Sequence, residues 1–460
     1  MLCLGCGRTT LNAAGVADTA SNDCDTGSGC AGGAERLIHG QHFASTGEVS
    51  VRDLSAGRDG RVGIGGYYKG SLRSGGAQLS LADAATEDGF VAVYDTSGHE
   101  QWSLPLPGFG SQGVTGVAFA PNGDLAAQAF SDPKRDALLG SASGTAFVIR
   151  FDTAGEVSVR KGFSGARTFA AKVAVDSTGA WIAVGSFTGQ FDFYGLRPTL
   201  PPYVVKLDAD GNVIWIRDLS EVWAGNAALG ADAAGLALEN LSVAVDPDDA
   251  ISISGDVQLD QHSAFLAKLE PDGAVRYTAT FGGNAVVRVN GVAVAGDGSA
   301  IVGGDFFGDW QLGTERLVTD PNGAASDAWV AKLSPAGALV WVKTFSGNGV
   351  GRGAVVTAIA ADRRGNVVVA GTADSIVIED ETLTQRDASS QVAFVAELSP
   401  SGDKSWVYRA NCRSAHFFAL AIDAHSKVWA GGEFDTELDF GSTPTAALGH
   451  PDGFLLQLRR

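Results

Sequence analysis

Four groups of residues in this chain have the means to do chemistry. Short acidic turns of the form Asp-x-x-Gly, such as "DADGN" from Asp208, carry the oxygen ligands that calcium takes. No copy has the register of further Asp or Asn and a later Glu that such a loop needs, so these residues are expected to act as turn formers. Of seven His, five (His39, His42, His416, His425 and His450) fall near the two ends of the chain's folded part. Three His on neighbouring loops could hold zinc or copper, but no tetrahedral set follows from their spacing, so solvated loop positions are expected. Cys412 is the only Cys in the body and reads as a small buried hydrophobe. There is no G-x-S-x-G elbow, HExxH pair or P-loop. No catalytic residue, metal ligand or cofactor is therefore assigned.

The elements that must position these residues come from internal repetition. "FVAVYDTSGHEQW" at Phe90 returns as "FVIRFDTAGEVSV", "YVVKLDADGNVIW", "FLAKLEPDGAVRY", "WVAKLSPAGALVW" and "FVAELSPSGDKSW", at Phe147, Tyr203, Phe265, Trp329 and Phe394. Apolar and polar residues partly alternate, and Gly155, Gly211, Gly273, Gly337 and Gly402 align in the turn, which makes each copy a hairpin. Trp102, Val159, Trp215, Tyr277, Trp341 and Trp406 lie 12 positions after the opening aromatic and read as buried packing between units.

A second unit alternates with the first, as in "KVAVDSTGAWIAVGSF" from Lys172 and "NGVAVAGDGSAIVGGDF" from Asn290, with a diverged copy, "DLSAGRDGRVGIGGYY", from Asp53. Its near-continuous small apolar runs suit strands buried on both faces near a crowded axis. Seven copies of each hairpin, four strands per copy, make an all-β seven-bladed propeller over 34–460. The seventh copy, "FLLQLRR" at Phe454, stops short. Its missing outer strand is expected from "AERLIHGQHF" near Arg36, which would close the ring and leave no open edge.

The pattern "DAWVAKLSPAGALVW…GVAVAGDGSAIVGGDF" resembles the bacterial β-propeller repeat family labelled SBBP, of secreted and envelope proteins. The resemblance runs from about Asp53 to the end. The acidic residue two before the aromatic recurs as Asp88, Asp327 and Asp452. It implies the fold and carries no catalytic residues. At the other end, the patch ending in Gly5 and Cys6 resembles the tail of a lipoprotein signal, with Cys3 where that family carries Leu. This resemblance implies lipidation at Cys6 and a cell-envelope, or otherwise extracellular, location. Residues 1–33 then form a small, polar linker, in which Cys24 and Cys30 could close a loop in an exported protein.

A net charge of −19 sets the chain against nucleic acid and anionic lipid, so contact with a membrane is expected only through a lipid anchor. The segments "SEVWAGNAALGADAAGLALEN", with Trp223, and "FYGLRPTLPPY", with Phe193, Tyr194 and Arg197, interrupt the repeat and are candidate binding loops. A monomeric, non-enzymatic binding module for protein or glycan is the leading expectation. An exported carbohydrate-active hydrolase or lyase with carboxylates at the channel mouth, and a structural propeller without a specific ligand, are the alternatives.

Overall fold

A computed structural model describes residues 36–460, apart from 75–76, 81–85, 107–110, 133–144, 193–202, 220–236, 259–261, 320–324, 347–352, 386–389, 411, 440–443 and 449–450. The described residues form strands and no helix. They build seven antiparallel four-stranded blades around a channel. Blade 1 runs outwards from the axis through Val49–Ala56, Val62–Lys69, Glu87–Tyr94 and Glu100–Leu106. The innermost strands of blades 2, 4, 5, 6 and 7 are Ser111–Phe119, Ala237–Val245, Val286–Val294, Ala354–Ala361 and Ala415–Ile422. Blades 2 and 3 share one strand, Val157–Val175, which is outermost in the first and innermost in the second.

Burial follows position in the blade. The third strands Asp327–Leu333, Val392–Leu398 and Asp452–Leu458 are buried throughout. So is the second strand Val367–Ala373. The small apolar residues of the innermost strands are not buried on both faces as expected: Ala354–Ala361 alternates between buried and half-buried, because one of its faces lines the channel. Each innermost strand also carries a bulge against its neighbour, at Val51/Asp53, Val114/Gly116, Ala170/Lys172, Glu239/Ser242, Val289/Gly291, Val356/Ala358 and Phe417/Ala419. A bulge bends the strand and re-aims its side chains, here at the same level in every blade. Its backbone presses on the second strand. A Cβ on Gly371 would lie 2.0 Å from the Val355 carbonyl oxygen, which explains why these Val-rich strands end in Gly.

The ring closes as the sequence implies. Leu37–Ser45 pairs antiparallel with Asp452–Leu458, with His42 opposite Phe454 and Phe43 opposite Gly453, and becomes the outermost strand of blade 7. Phe43 is fully buried there.

Strand direction gives the disc two unlike faces. On one, the turn face, the connection from innermost to second strand has the same length in all seven blades, from 57–61 in blade 1 to 423–427 in blade 7. The connection from third to outermost strand has that same length in blades 1–6, from 95–99 to 399–403. On the other, the connection face, lengths differ widely. Blades 2 and 3 are joined by no loop at all, while the second and third strands of blade 5 are separated by the whole stretch 308–326. In blades 1, 5, 6 and 7 these longer connections carry an extra hairpin that the repeat analysis did not anticipate. The hairpins pair Ser71–Ser74 with Ala77–Ser80, Asp309–Leu312 with Glu315–Val318, Ser375–Ile378 with Glu381–Thr384, and Glu437–Asp439 with Pro444–Ala446. Each sends apolar side chains back to the blades: Leu72, Trp310, Ile376 and Leu438 are all essentially inaccessible. Trp310 packs on Trp329 with ring centroids 5.0 Å apart.

Candidate functional site

The turn face is held by carboxylates. Asp176, Asp246, Asp362 and Asp423 begin inner turns, and Asp95, Asp152 and Asp208 begin outer ones. Each accepts hydrogen bonds on one oxygen from the backbone N–H groups two and four residues further on. The expected role as turn formers is what the geometry shows.

Carboxylates of the inner turns also face cations from within the blades. In blades 2 to 5 the third strand supplies one cation each, pairing Arg150 with Asp124 at 2.5 Å, Lys206 with Asp176 at 2.9 Å, Lys268 with Asp246 at 2.6 Å and Lys332 with Asp297 at 3.3 Å. Three of these cations also tie their blade to the next. Arg150 donates to the Ala209 carbonyl (2.6 Å), Lys206 to Pro271 (3.1 Å) and Lys268 to Gly298 (2.6 Å). In blade 6 the position is an acid, Glu397, and the cation is Arg460, two residues past the strand Asp452–Leu458. Arg460 pairs with Glu397 and, at 2.7 Å, with Asp362. Burial would raise Asp176 and Asp362, but the hydrogen bonds from Thr178 and Lys206, and from Asn366 and Arg460, hold both below the ordinary carboxylate value.

Further out, the large residue 12 positions into the repeat, aromatic in every copy but that of Val159, packs across the blade boundary. A Cβ on Gly155 would lie 2.9 Å from the Trp102 ring, one on Gly273 3.2 Å from Trp215, and one on Gly402 3.0 Å from Trp341. These turn glycines also sit at positive φ, so the turn and the neighbouring ring both require Gly. Trp215 and Trp341 donate from Nε1 to the Pro271 and Pro400 carbonyls of the next blade. The inter-blade role expected for these aromatics is correct, but their full burial is not: only Trp406 is buried, and the others are half-buried at the rim.

Three of the histidines are corrected likewise, whereas His425 is exposed in an inner turn, as expected. His39 is not a solvated loop residue. It lies in the closing strand under Gly98 of blade 1, where a Cβ would meet its ring at 2.5 Å. Burial, with His99 nearby, lowers its pKa. His42 is in the same strand and pairs through Nε2 with Asp452 at 2.8 Å. His416 stacks on Phe418, with centroids 6.1 Å apart. Among the described residues no group of three or more His, Cys, Asp or Glu could hold a metal ion. Cys412 is buried, as expected.

The channel itself is crossed near blades 1 to 3. Lys172 of blade 3 reaches past blade 2 to Asp53 of blade 1 at 2.5 Å, and Asp53 also accepts the Val117 N–H at 2.7 Å. Burial raises the Asp53 pKa, against the opposing charge of Lys172. A Cβ on Gly116 would lie 2.7 Å from the Val173 backbone nitrogen, so that blade has no room for a side chain at the crossing.

The channel mouth on the connection face is richer in unlike groups. Arg52 lies over Phe418 (4.2 Å) and Tyr67 (5.0 Å) and donates to the Tyr67 hydroxyl at 2.7 Å. Across the ring, Arg288 pairs with Asp305 at 3.1 Å. Asp256 accepts the Val289 N–H at 2.7 Å and the Asn240 side-chain amide at 2.8 Å. Burial raises its pKa to about 6, and the Asp305 charge adds to the rise. Trp223, Phe193, Tyr194, Arg197, Cys6, Cys24, Cys30 and His450 lie outside the described residues. The strand ends flanking Phe193, Tyr194, Arg197 and Trp223, at Asp192, Tyr203, Asp218 and Ala237, all lie on the connection face.

Sequence reasoning missed the cation ring. Its signal is a charged residue at one fixed position of an otherwise apolar phrase: Arg150, Lys206, Lys268, Lys332 and, with sign reversed, Glu397.

No protein-family model matches this chain, and no curated protein is similar to it in sequence. Solved structures are similar in fold. A puromycin hydrolase shares 14% identity over 84% of this chain and 50% of its own, with a TM-score of 0.46, so the chain spans about half of that enzyme. The β-propeller domain of the Trilobed protease from Pyrococcus furiosus shares 8% identity over 87% of this chain and 96% of its own, with a TM-score of 0.43. A gluconolactonase from Xanthomonas campestris shares 15% identity over 75% of this chain and 86% of its own, with a TM-score of 0.34.

Proposed function

We propose that the protein is a non-enzymatic, cell-envelope or secreted β-propeller that binds a protein or glycan partner through its connection face. One observation carries this reading: the connections are uniform on one face and, on the other, range from no loop at all to the long stretch between Phe307 and Asp327. Uniform turns locked by Asp and Lys build the scaffold. Variable connections on a rigid scaffold are where binding residues reside. The mouth of the channel on that face adds Arg52, Tyr67 and Phe418, side chains of the kinds that dominate recognition surfaces. The tail would tether the disc through a lipidated Cys6, and the ring would act as a monomer.

Asp256, near Asp305, favours the hydrolase alternative, because a carboxyl titrating near 6 suits a general acid. Its geometry favours a structural role. Asp256 is 3% exposed, and its oxygens are turned to the Val289 N–H and the Asn240 amide, so burial closes it off from a substrate.

The test is a quantitative binding panel of envelope proteins and glycans against the full chain. Its counterpart would have 220–236 replaced by a short Gly/Ser linker and Phe193→Ala, Tyr194→Ala and Arg197→Ala added. Loss of a specific partner with an unchanged melting temperature is expected. A partner retained at full affinity by the altered chain would sink the proposal. Labelled fatty acid incorporated by the native chain and lost in Cys6→Ser is the expected result for the anchor.

A further inference from the structure

The opposite mouth of the channel, on the turn face, opens into a cavity of about 710 Å³ beneath the inner turns of blades 6, 7 and 1. Its acids are already engaged. Asp362 holds Arg460 and the Asn366 amide on one oxygen and two backbone N–H groups on the other. Asp423 holds two backbone N–H groups and the Trp429 indole N–H at 3.0 Å. Three cations remain at its rim: Arg58 from blade 1, and Arg363 and Arg364 from blade 6. All three side chains are exposed, and none pairs with a carboxylate among the described residues. Their backbones are fixed by the ring. A Cβ on Gly296 of blade 5 would lie 2.2 Å from the Arg363 carbonyl oxygen, so the two turns touch there without a side chain between them.

On a chain of net charge −19, three guanidiniums that pair with no carboxylate among the described residues line one concavity, where they outnumber its two acids, Asp362 and Asp423. Distant acids are screened beyond about 10 Å, so the field in the cavity is set by these three cations and by its own acids, Asp423 and the Asp362 that Arg460 already neutralises. Guanidinium forks match the geometry of carboxylate, sulfate and phosphate oxygens. The three guanidiniums stand on two turns, Arg58 on one and Arg363 with Arg364 on the other, so a chain carrying several anionic groups can engage all three at once.

We propose that this cavity is a binding site for a multiply charged oxyanion ligand of the acidic-oligosaccharide class. It lies on the face opposite the variable connections and does not depend on the function proposed above.

The test is isothermal titration calorimetry on the full chain with trigalacturonate, with inorganic phosphate and with uncharged maltotriose. Trigalacturonate is expected to bind, to weaken as salt rises through about 50 to 300 mM, and to lose at least about tenfold in affinity when Arg58, Arg363 and Arg364 are all changed to Gln. The exposed hairpin variant Arg316→Gln should bind like the native chain. The three arginine side chains are exposed, so the triple variant should fold, and an unchanged melting curve checks that it does. Replacing 220–236 should leave this binding intact, which separates it from the connection face. Phosphate binding as tightly as trigalacturonate would overturn the spaced-charge reading. Maltotriose binding as tightly as trigalacturonate, or no Arg-dependent binding of either anion, would overturn the site.

Discussion

On the turn face, thirteen connections of equal length repeat one solution: an acid or small residue opens the turn and a residue at positive φ brings it round, often over a buried cation. On the connection face the same strands are joined by anything from no loop to the stretch 308–326, and the groups at the channel mouth differ from blade to blade. The first face is shaped by the need of every blade to join its neighbour. The second varies although blades are joined there too, as where Asp256 of blade 4 accepts the Val289 N–H of blade 5. The two faces also treat their acids differently. Asp176 and Asp362 on the turn face are held below the ordinary carboxylate value, while Asp256 on the connection face is pushed up to about 6.

The largest expected effect is on the turn face. Lys268 and Asp246 are 0% and 1% exposed, so Lys268→Ala leaves a buried carboxylate without its cation and the Gly298 carbonyl without its donor. The expected loss is about 3–5 kcal/mol in chemical denaturation. Adding Asp246→Asn should restore much of it, and a loss under about 1 kcal/mol for the single variant would break the contrast between the faces. Arg460→Ala follows, at about 2 kcal/mol, because Glu397 and Asp362 both lose a charged donor. Equal denaturation midpoints for this variant and the native chain would show that Arg460 does not substitute for the missing blade 6 cation.

The acids give a prediction with a sign. The raised value of Asp256 means the folded state holds its proton more tightly than the unfolded chain does. Its contribution to stability is therefore best below 3.8 and declines as pH rises through about 6. Asp256→Asn should stabilise the protein by about 1–3 kcal/mol at pH 7.5, with the gain shrinking toward pH 4. Asp176 and Asp362 run the other way. Their contributions are present above 3.8 and are lost as pH falls through their lowered folded values. A difference in melting temperature between Asp256→Asn and the native chain that stays flat with pH would contradict this assignment. The smallest effect is on the connection face, where replacing 220–236 should change stability by under about 1 kcal/mol, loop closure depending only weakly on length.

The sequence displayed the turn face well because its physics repeats. An opening aromatic, a turn Gly and a second large residue at a fixed spacing recur often enough to reveal seven blades and the split closure through Leu37–Ser45. It hid the extra hairpins because each is only three or four residues a side and polar on its outer face. The inward alternation of buried Trp310 with half-buried Leu312 and Leu317, or of buried Ile376, Ile378 and Leu383, emerges only once the blades are aligned. The Arg58, Arg363 and Arg364 cluster was hidden for another reason. Arg58 is far in sequence from the other two, and they meet only because the ring brings blade 6 to within one blade of blade 1. His39 was misread because its environment, the Gly98 turn of blade 1, comes from across the closure.

The central claim is that the two faces have different work, and hydroxyl-radical footprinting of the chain with and without the partner found in the binding panel tests it directly. Protection is expected at His416, Phe418 and Tyr67 and along the connections beside Asp192 and Ala237, with the turn-face positions Asp152, Asp208 and Asp272 unchanged. Protection concentrated on the turn-face positions, with the connection face unaltered, would contradict the account.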